Sequence, residues 1–65
     1  MPNKLKELRF FKGVSQWEIA LGTAMSQTRV SLIERGMLHP SDLDKLKIAK
    51  VLKCKPEEVF PLEAK

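Results

Sequence analysis

The stretch from Ser15 to Gly36, SQWEIALGTAMSQTRVSLIERG, constrains the fold of this chain more than any other. It contains two short amphipathic patterns, each opening on a serine and separated by a short joint. Ser15 with Glu18 forms S-x-x-E, in which the serine hydroxyl and the glutamate carboxylate satisfy the first free backbone N–H groups of a helix. Ser26 can cap the second pattern, and Gly36 ends it because glycine takes the left-handed conformation that closes a helix. The spacing predicts helices over 16–23 and 27–35, with Ala24 and Met25 making the turn.

The rest of the chain supplies helices that can hold this pair. Asn3 can cap a first helix from about Lys4 to Lys12, and Gly13 suits its left-handed end. Leu5, Leu8, Arg9 and Lys12 share one face at helical spacing, with Phe11 on the shoulder and Phe10 pointing elsewhere. In the second helix Ile19, Ala20 and Thr23 form the inward stripe, while Trp17 and Leu21 project away from it. In the third, Val30 and Ile33 face inward with Glu34 beside them. Ser41 and Asp44 repeat the capping pattern ahead of a fourth helix over 42–53, with Ile48, Ala49 and Leu52 inside and Leu43 and Leu46 on a flank. Pro56 fits the first position of a last short helix, where its missing N–H costs nothing. Glu57 and Glu58 lie near that helix's positive end. Val59, Phe60 and Leu62 are expected to close the core, and Pro61 ends the helix. No segment alternates with period two over a useful length, so the expectation is all-α, five helices in a single domain over 1–65.

Composition narrows the class of function. Sixty-five residues bury only ~60% of their unfolded surface, so stability is thin and a second copy can share the burden. No apolar run approaches the ~20 residues needed to cross a bilayer, and the N-terminus lacks a signal-peptide pattern, so a cytoplasmic protein is expected. The single cysteine, Cys54, excludes an internal disulfide. His39 and Cys54 together fall short of the four ligands of a structural zinc site, so neither metal nor cofactor is expected. An enzyme would need a positioned nucleophile, an acid–base pair or a metal, and none is evident. Nor is a small-molecule ligand. The net charge of +4 favours polyanion partners, but it divides as +3 over residues 1–14, zero over 15–40 and +1 over 41–65. On charge alone a solvated surface explains it equally well.

The outward face of the third helix carries the functional reading. At about 100° per residue, Gln27, Thr28, Ser31, Leu32 and Arg35 fall on one broad arc, with Arg29 at its edge. A glutamine amide matches adenine N6 and N7, and a threonine methyl can meet a thymine methyl. An exposed helix face is also commonly polar, so the residues alone leave both readings open.

From Leu5 to Phe60 the chain resembles the Cro/repressor-type helix-turn-helix family. The matching runs are LKELR (5–9), KGVSQ (12–16), Ile19-Ala20, SQTRVSLIERG (26–36), Pro40-Ser41, KIAKVL (47–52) and PEEVFP (56–61), in order and without insertion. The resemblance implies a compact five-helix domain that binds double-stranded DNA as a transcriptional regulator, a repressor, with its third helix in the major groove. Gln27, Thr28, Ser31 and Leu32 become base-facing positions. Gln16, Arg29, Arg35 and His39 become contacts to the sugar–phosphate strand. Arg9 and Glu34 match a partly buried salt bridge that fixes the third helix. A homodimer on a two-fold site is expected, with Phe10, Trp17, Leu21 and the Phe60–Leu62 end as candidate contacts. The alternative is a protein-interaction module of the same fold, such as an antitoxin or adaptor, to which Leu32 and the Trp17–Leu21 pair would suit. Four positions depart from the family pattern. Ala24 and Lys53 stand where glycine is usual, Lys45 where a core leucine is frequent, and Leu32 is apolar in a base-facing slot.

Overall fold

Residues 3–61 are described by the computed structural model, and they form five helices: α1 (Leu5–Lys12), α2 (Gln16–Thr23), α3 (Gln27–Glu34), α4 (Asp42–Leu52) and α5 (Pro56–Val59). No strand occurs among the described residues. Every helix contributes to one core. Leu5, Ile19, Val30, Ile33, Ile48, Leu52 and Val59 are fully buried, and Ala20, Ala49 and Phe60 complete the cluster. Each is an inward position of the helical patterns read from the sequence, so the periodicity was a reliable guide to the core.

The helix starts follow the serines. Ser15 Oγ accepts from Glu18 N at 3.1 Å, and Ser15 N donates to Glu18 Oε1 at 2.8 Å, which completes the box. Ser26 Oγ accepts from Arg29 N and Ser41 Oγ from Asp44 N, each at 3.1 Å. Pro56 occupies the first turn of α5. Asn3 does cap the start of α1, accepting from Leu5 N at 3.0 Å, although Lys4 holds the N-cap position and the helix begins one residue later than expected.

The turns explain two departures. Ala24 and Lys53 both adopt left-handed backbone, with φ of 60° and 57°. The chain keeps the glycine-type turn and accepts a steric cost of about 1–2 kcal/mol at each. Met25 N donates to Ala20 O and Cys54 N to Ala49 O, closing the two helix ends. The widest helix contact is between α2 and α4. It is close because Gly22 has no side chain: a Cβ there would lie 2.5 Å from Val51 Cγ2.

Some expectations are corrected. Phe11 is 85% exposed, not on the shoulder of the core, and Lys12 is exposed as well. In the last turn of α1 only Arg9 is shielded, through its pairing with Glu34. Arg35 and Lys53 have left their helices, which end at Glu34 and Leu52. Lys45 is half-buried, with Nζ 5.9 Å from the centroid of the Phe60 ring, so its ammonium rests on an aromatic face. That fixes the register of α4 with Ile48, Ala49 and Leu52 inward. Leu62 lies outside the described residues.

Candidate nucleic-acid interface

The α2–turn–α3 unit sets the site. Val30 and Ile33 lie fully buried beneath α3, so the opposite arc must face out. Gln27 and Thr28 are exposed at its first turn, while Ser31 and Leu32 are half-buried in the middle and Arg35 is exposed at the end. A shallow groove of about 350 Å3 is lined by Gln16, Gln27, Thr28, Ser31 and Arg35. Three expected base-facing residues and two expected strand contacts are thus brought together on one open surface. Leu32, Arg29 and His39 do not line it. His39 is exposed in the loop after α3, and Leu32 stands on the far side of the arc without joining the core.

Two ion pairs hold α3 by its opposite shoulders. On the Gln27 side, Arg9 donates to Glu34 through Nε to Oε1 and Nη2 to Oε2, both at 3.0 Å. Arg9 Nη1 also donates to Val14 O at 3.1 Å, which ties the α1–α2 connection to the same guanidinium. The side chains of Arg9 and Glu34 are only 12% and 6% exposed, so this pair is a cross-brace within the fold. Gln16 Nε2 adds a third bond to Glu34 Oε1 at 3.1 Å. Burial pushes the Glu34 carboxyl up, but hydrogen bonds from Arg9 and Gln16 and the charges of Arg9 and Lys6 outweigh it and hold it below its ordinary value.

On the Leu32 side, Arg29 Nη2 donates to Asp44 Oδ2 at 3.1 Å, joining α3 to the first turn of α4. This hydrogen bond is the main reason that the Asp44 carboxyl lies below its ordinary value, with Ser41 adding to it against burial. Asp44 therefore turns to Arg29, where its position after Ser41 suggested only a capping box. A third tie closes the end of α3: Asn3 Nδ2 donates to Ile33 O at 2.9 Å. The Asp44 and Asn3 ties, and the role of Gln16 as a partner of Glu34, were not legible in the sequence, because nothing local marks partners 15, 30 or 18 residues apart.

The other functional candidates resolve simply. No group of three or more His, Cys, Asp or Glu side chains is placed to hold a metal among the described residues. Cys54 is half-buried, and burial together with the Glu58 charge pushes its thiol up against a smaller opposing effect of Lys12. It is thereby kept a protonated packing group at neutral pH. No helix among the described residues is long and apolar enough to cross a membrane.

A capped helix pair of this form, with the second helix braced from behind and polar in front, defines a helix-turn-helix DNA-binding fold. No family model matches the sequence. The HTH-type transcriptional regulator YgzD of Bacillus subtilis (strain 168), itself uncharacterized, is 43% identical over 63 residues, which are 97% of this chain and 96% of that one. The crystal structure of the restriction-modification controller protein C.AhdI from Aeromonas hydrophila matches with a TM-score of 0.82 at 37% identity, covering 88% of this chain and 86% of the other. The chain belongs to the helix-turn-helix transcriptional regulators of the Cro/repressor type and is a DNA-binding transcriptional regulator.

Proposed function

We propose that the chain is a sequence-specific repressor that acts on double-stranded DNA in the cytoplasm as a homodimer, by binding and not by catalysis. α3 enters the major groove, Gln27 and Thr28 read base edges at its first turn, and Ser31 and Leu32 continue the contact further along. Gln16, Arg29, Arg35 and His39 engage the sugar–phosphate strand and set the register in which the bases are read. The observation that carries this reading is the groove lined together by Gln16, Gln27, Thr28, Ser31 and Arg35. Gln27, Thr28 and Ser31 offer donors and acceptors on one helix face, Arg35 adds donors, and Gln16 reaches the same surface from α2.

Selection of bound sequences from a random duplex library tests the reading. A two-fold consensus is expected, and Gln27→Ala should relax one position of each half-site, costing about 1–3 kcal/mol of discrimination there. An unenriched library would overturn it. A second reading, a protein-interaction module such as an antitoxin or adaptor, draws on Trp17 and Leu21, which are 57% and 64% exposed on α2. Absent or salt-insensitive duplex binding would favour that reading, because a DNA reader loses affinity steeply as salt removes the gain from counterion release.

A further inference from the structure

The Arg29–Asp44 pair is unlike the Arg9–Glu34 pair in one respect. Its side chains are 45% and 15% exposed, against 12% and 6%. Asp44 is nearly as shielded as Arg9, but the Arg29 end is open to water, where an ion pair contributes little to stability. The pair also sets a carboxylate beside a surface that would approach a polyanion, where a lone negative charge would repel it. An acid in that position needs a reason.

Geometry supplies one. Arg29 is the third residue of α3 and Asp44 the third of α4, so each backbone N–H is already held by a capping serine, Ser26 or Ser41. Both Cα positions are therefore fixed by capped first turns. The link between them uses only Arg29 Nη2, and Nε and Nη1 make no hydrogen bond among the described residues. A guanidinium carries five N–H donors in a rigid plane, so holding it at one corner orients the others without consuming them. The Leu32 shoulder of α3 lies at the opposite edge of the arc from Gln27 and from Gln16, which bonds to Glu34, so an oriented cation there would grip the strand on the side of α3 away from Gln16.

We propose that Asp44 is a positioning residue for DNA binding: it orients the Arg29 guanidinium so that its remaining N–H groups clamp a backbone phosphate. The proposal rests on the reading of α3 as a DNA-reading helix. Arg29 is the contact, and Asp44 acts only through it. Held this way, Arg29 approaches phosphate already ordered, and one free-rotating side chain fewer must be immobilised on binding.

The sign of one substitution decides the matter. Removing a carboxylate near DNA ordinarily tightens binding, since a repulsion is lost. Asp44→Ala is instead expected to weaken binding to selected and to random duplexes alike, by roughly three- to tenfold, as loss of an oriented phosphate contact does. In an Arg29→Ala background the same change should be neutral or tighten binding. Arg29→Ala by itself should lower the slope of log affinity against log salt by about one. Asp44→Asn keeps an acceptor for Arg29 and should fall between wild type and Asp44→Ala. Thermal melting of each variant separates these effects from unfolding, and Asn retains shape and size should Ala disturb the turn.

Three outcomes would overturn the proposal: tighter binding by Asp44→Ala in both backgrounds, equal weakening in both, or no change in either. The first would make Asp44 a simple repulsive charge, and the second would place its action elsewhere than Arg29. Failure of the wild-type chain to bind any duplex would remove the DNA-reading function itself and this inference with it. Wild-type binding with one of the three outcomes would remove the inference alone.

Discussion

Glu34 joins the stability of the fold to the placement of α3. It sits on α3 next to the Gln27 edge of the outward arc and takes three hydrogen bonds, two from Arg9 and one from Gln16. Truncation leaves the Arg9 charge buried without its partner, at a cost of ~3–5 kcal/mol, a large share of what a chain this short can hold. Glu34→Ala is expected to lower the melting temperature and the DNA affinity together, and lost affinity at an unchanged melting temperature would contradict it. The same carboxylate gives an acid limit. Its value in the folded chain lies below the ordinary one, so its stabilising contribution is complete above about pH 4.3 and drains away as pH falls through that value and on through the depressed one. Melting curves taken towards pH 3 should therefore show a smaller drop for Glu34→Gln than for wild type. Ala24 is the complementary case, a residue whose strain is local. With φ at 60°, Ala24→Gly removes the Cβ conflict and is expected to raise stability by about 0.5–1 kcal/mol after the entropy of the freer unfolded chain is subtracted. Calorimetry would show it as a rise of several degrees.

Among the elements, starts were more legible than ends. Serine caps and Pro56 act within a few residues, so their signal is carried by the local sequence alone. The ends at Glu34 and Leu52 each fall one residue short of the expected positions: Gly36 takes the left-handed backbone after α3 as expected, whereas α4 closes on a left-handed Lys53, a residue type that does not mark a helix end. The buried stripes of α2, α3 and α4 were readable for the same reason that starts were: period 3.6 is a property of the chain. The partners of Arg29 and Asn3 were not, since they depend on how α3 is laid against α4 and against the start of α1. One contact tests the spacing of elements directly. Gly22→Ala gains about 1 kcal/mol of helix propensity, but its Cβ would stand 2.5 Å from Val51 Cγ2, and overpacking of that kind costs about 1–3 kcal/mol. A net loss of stability is expected, and Gly22→Ala with Val51→Ala should recover part of it. If Gly22→Ala melts higher than wild type, α2 and α4 are not pressed together as described.

For the molecule as a whole, the area available for reading DNA is small. One domain of this size offers a modest interface, which is why the proposed function invokes two copies on one duplex. Their reading helices would meet half-sites one helical turn apart, about 34 Å. Inserting about five base pairs between half-sites would turn one of them to the opposite side of the duplex, and affinity is expected to fall to that of a single half-site. Gel-shift titration reads this, and unchanged affinity would argue for independent monomers. Phe10, Trp17, Leu21, Leu43 and Leu46 all leave more than half of their surface in solvent, so the molecule does not lack apolar surface for a second copy.

The start of the chain also bears on when the reading head is finished. Asn3 holds the last turn of α3 through Ile33 O, and Lys4 N donates to Val59 O at 2.8 Å. During synthesis the first of these links can form once α3 has left the ribosome, but the second has no partner until α5 emerges. A nascent chain stalled after α4 would thus carry every residue proposed to touch DNA while Lys4, at the start of its first helix, still lacked its link to Val59. The link that joins the start of α1 to α5 would be the last of these to close.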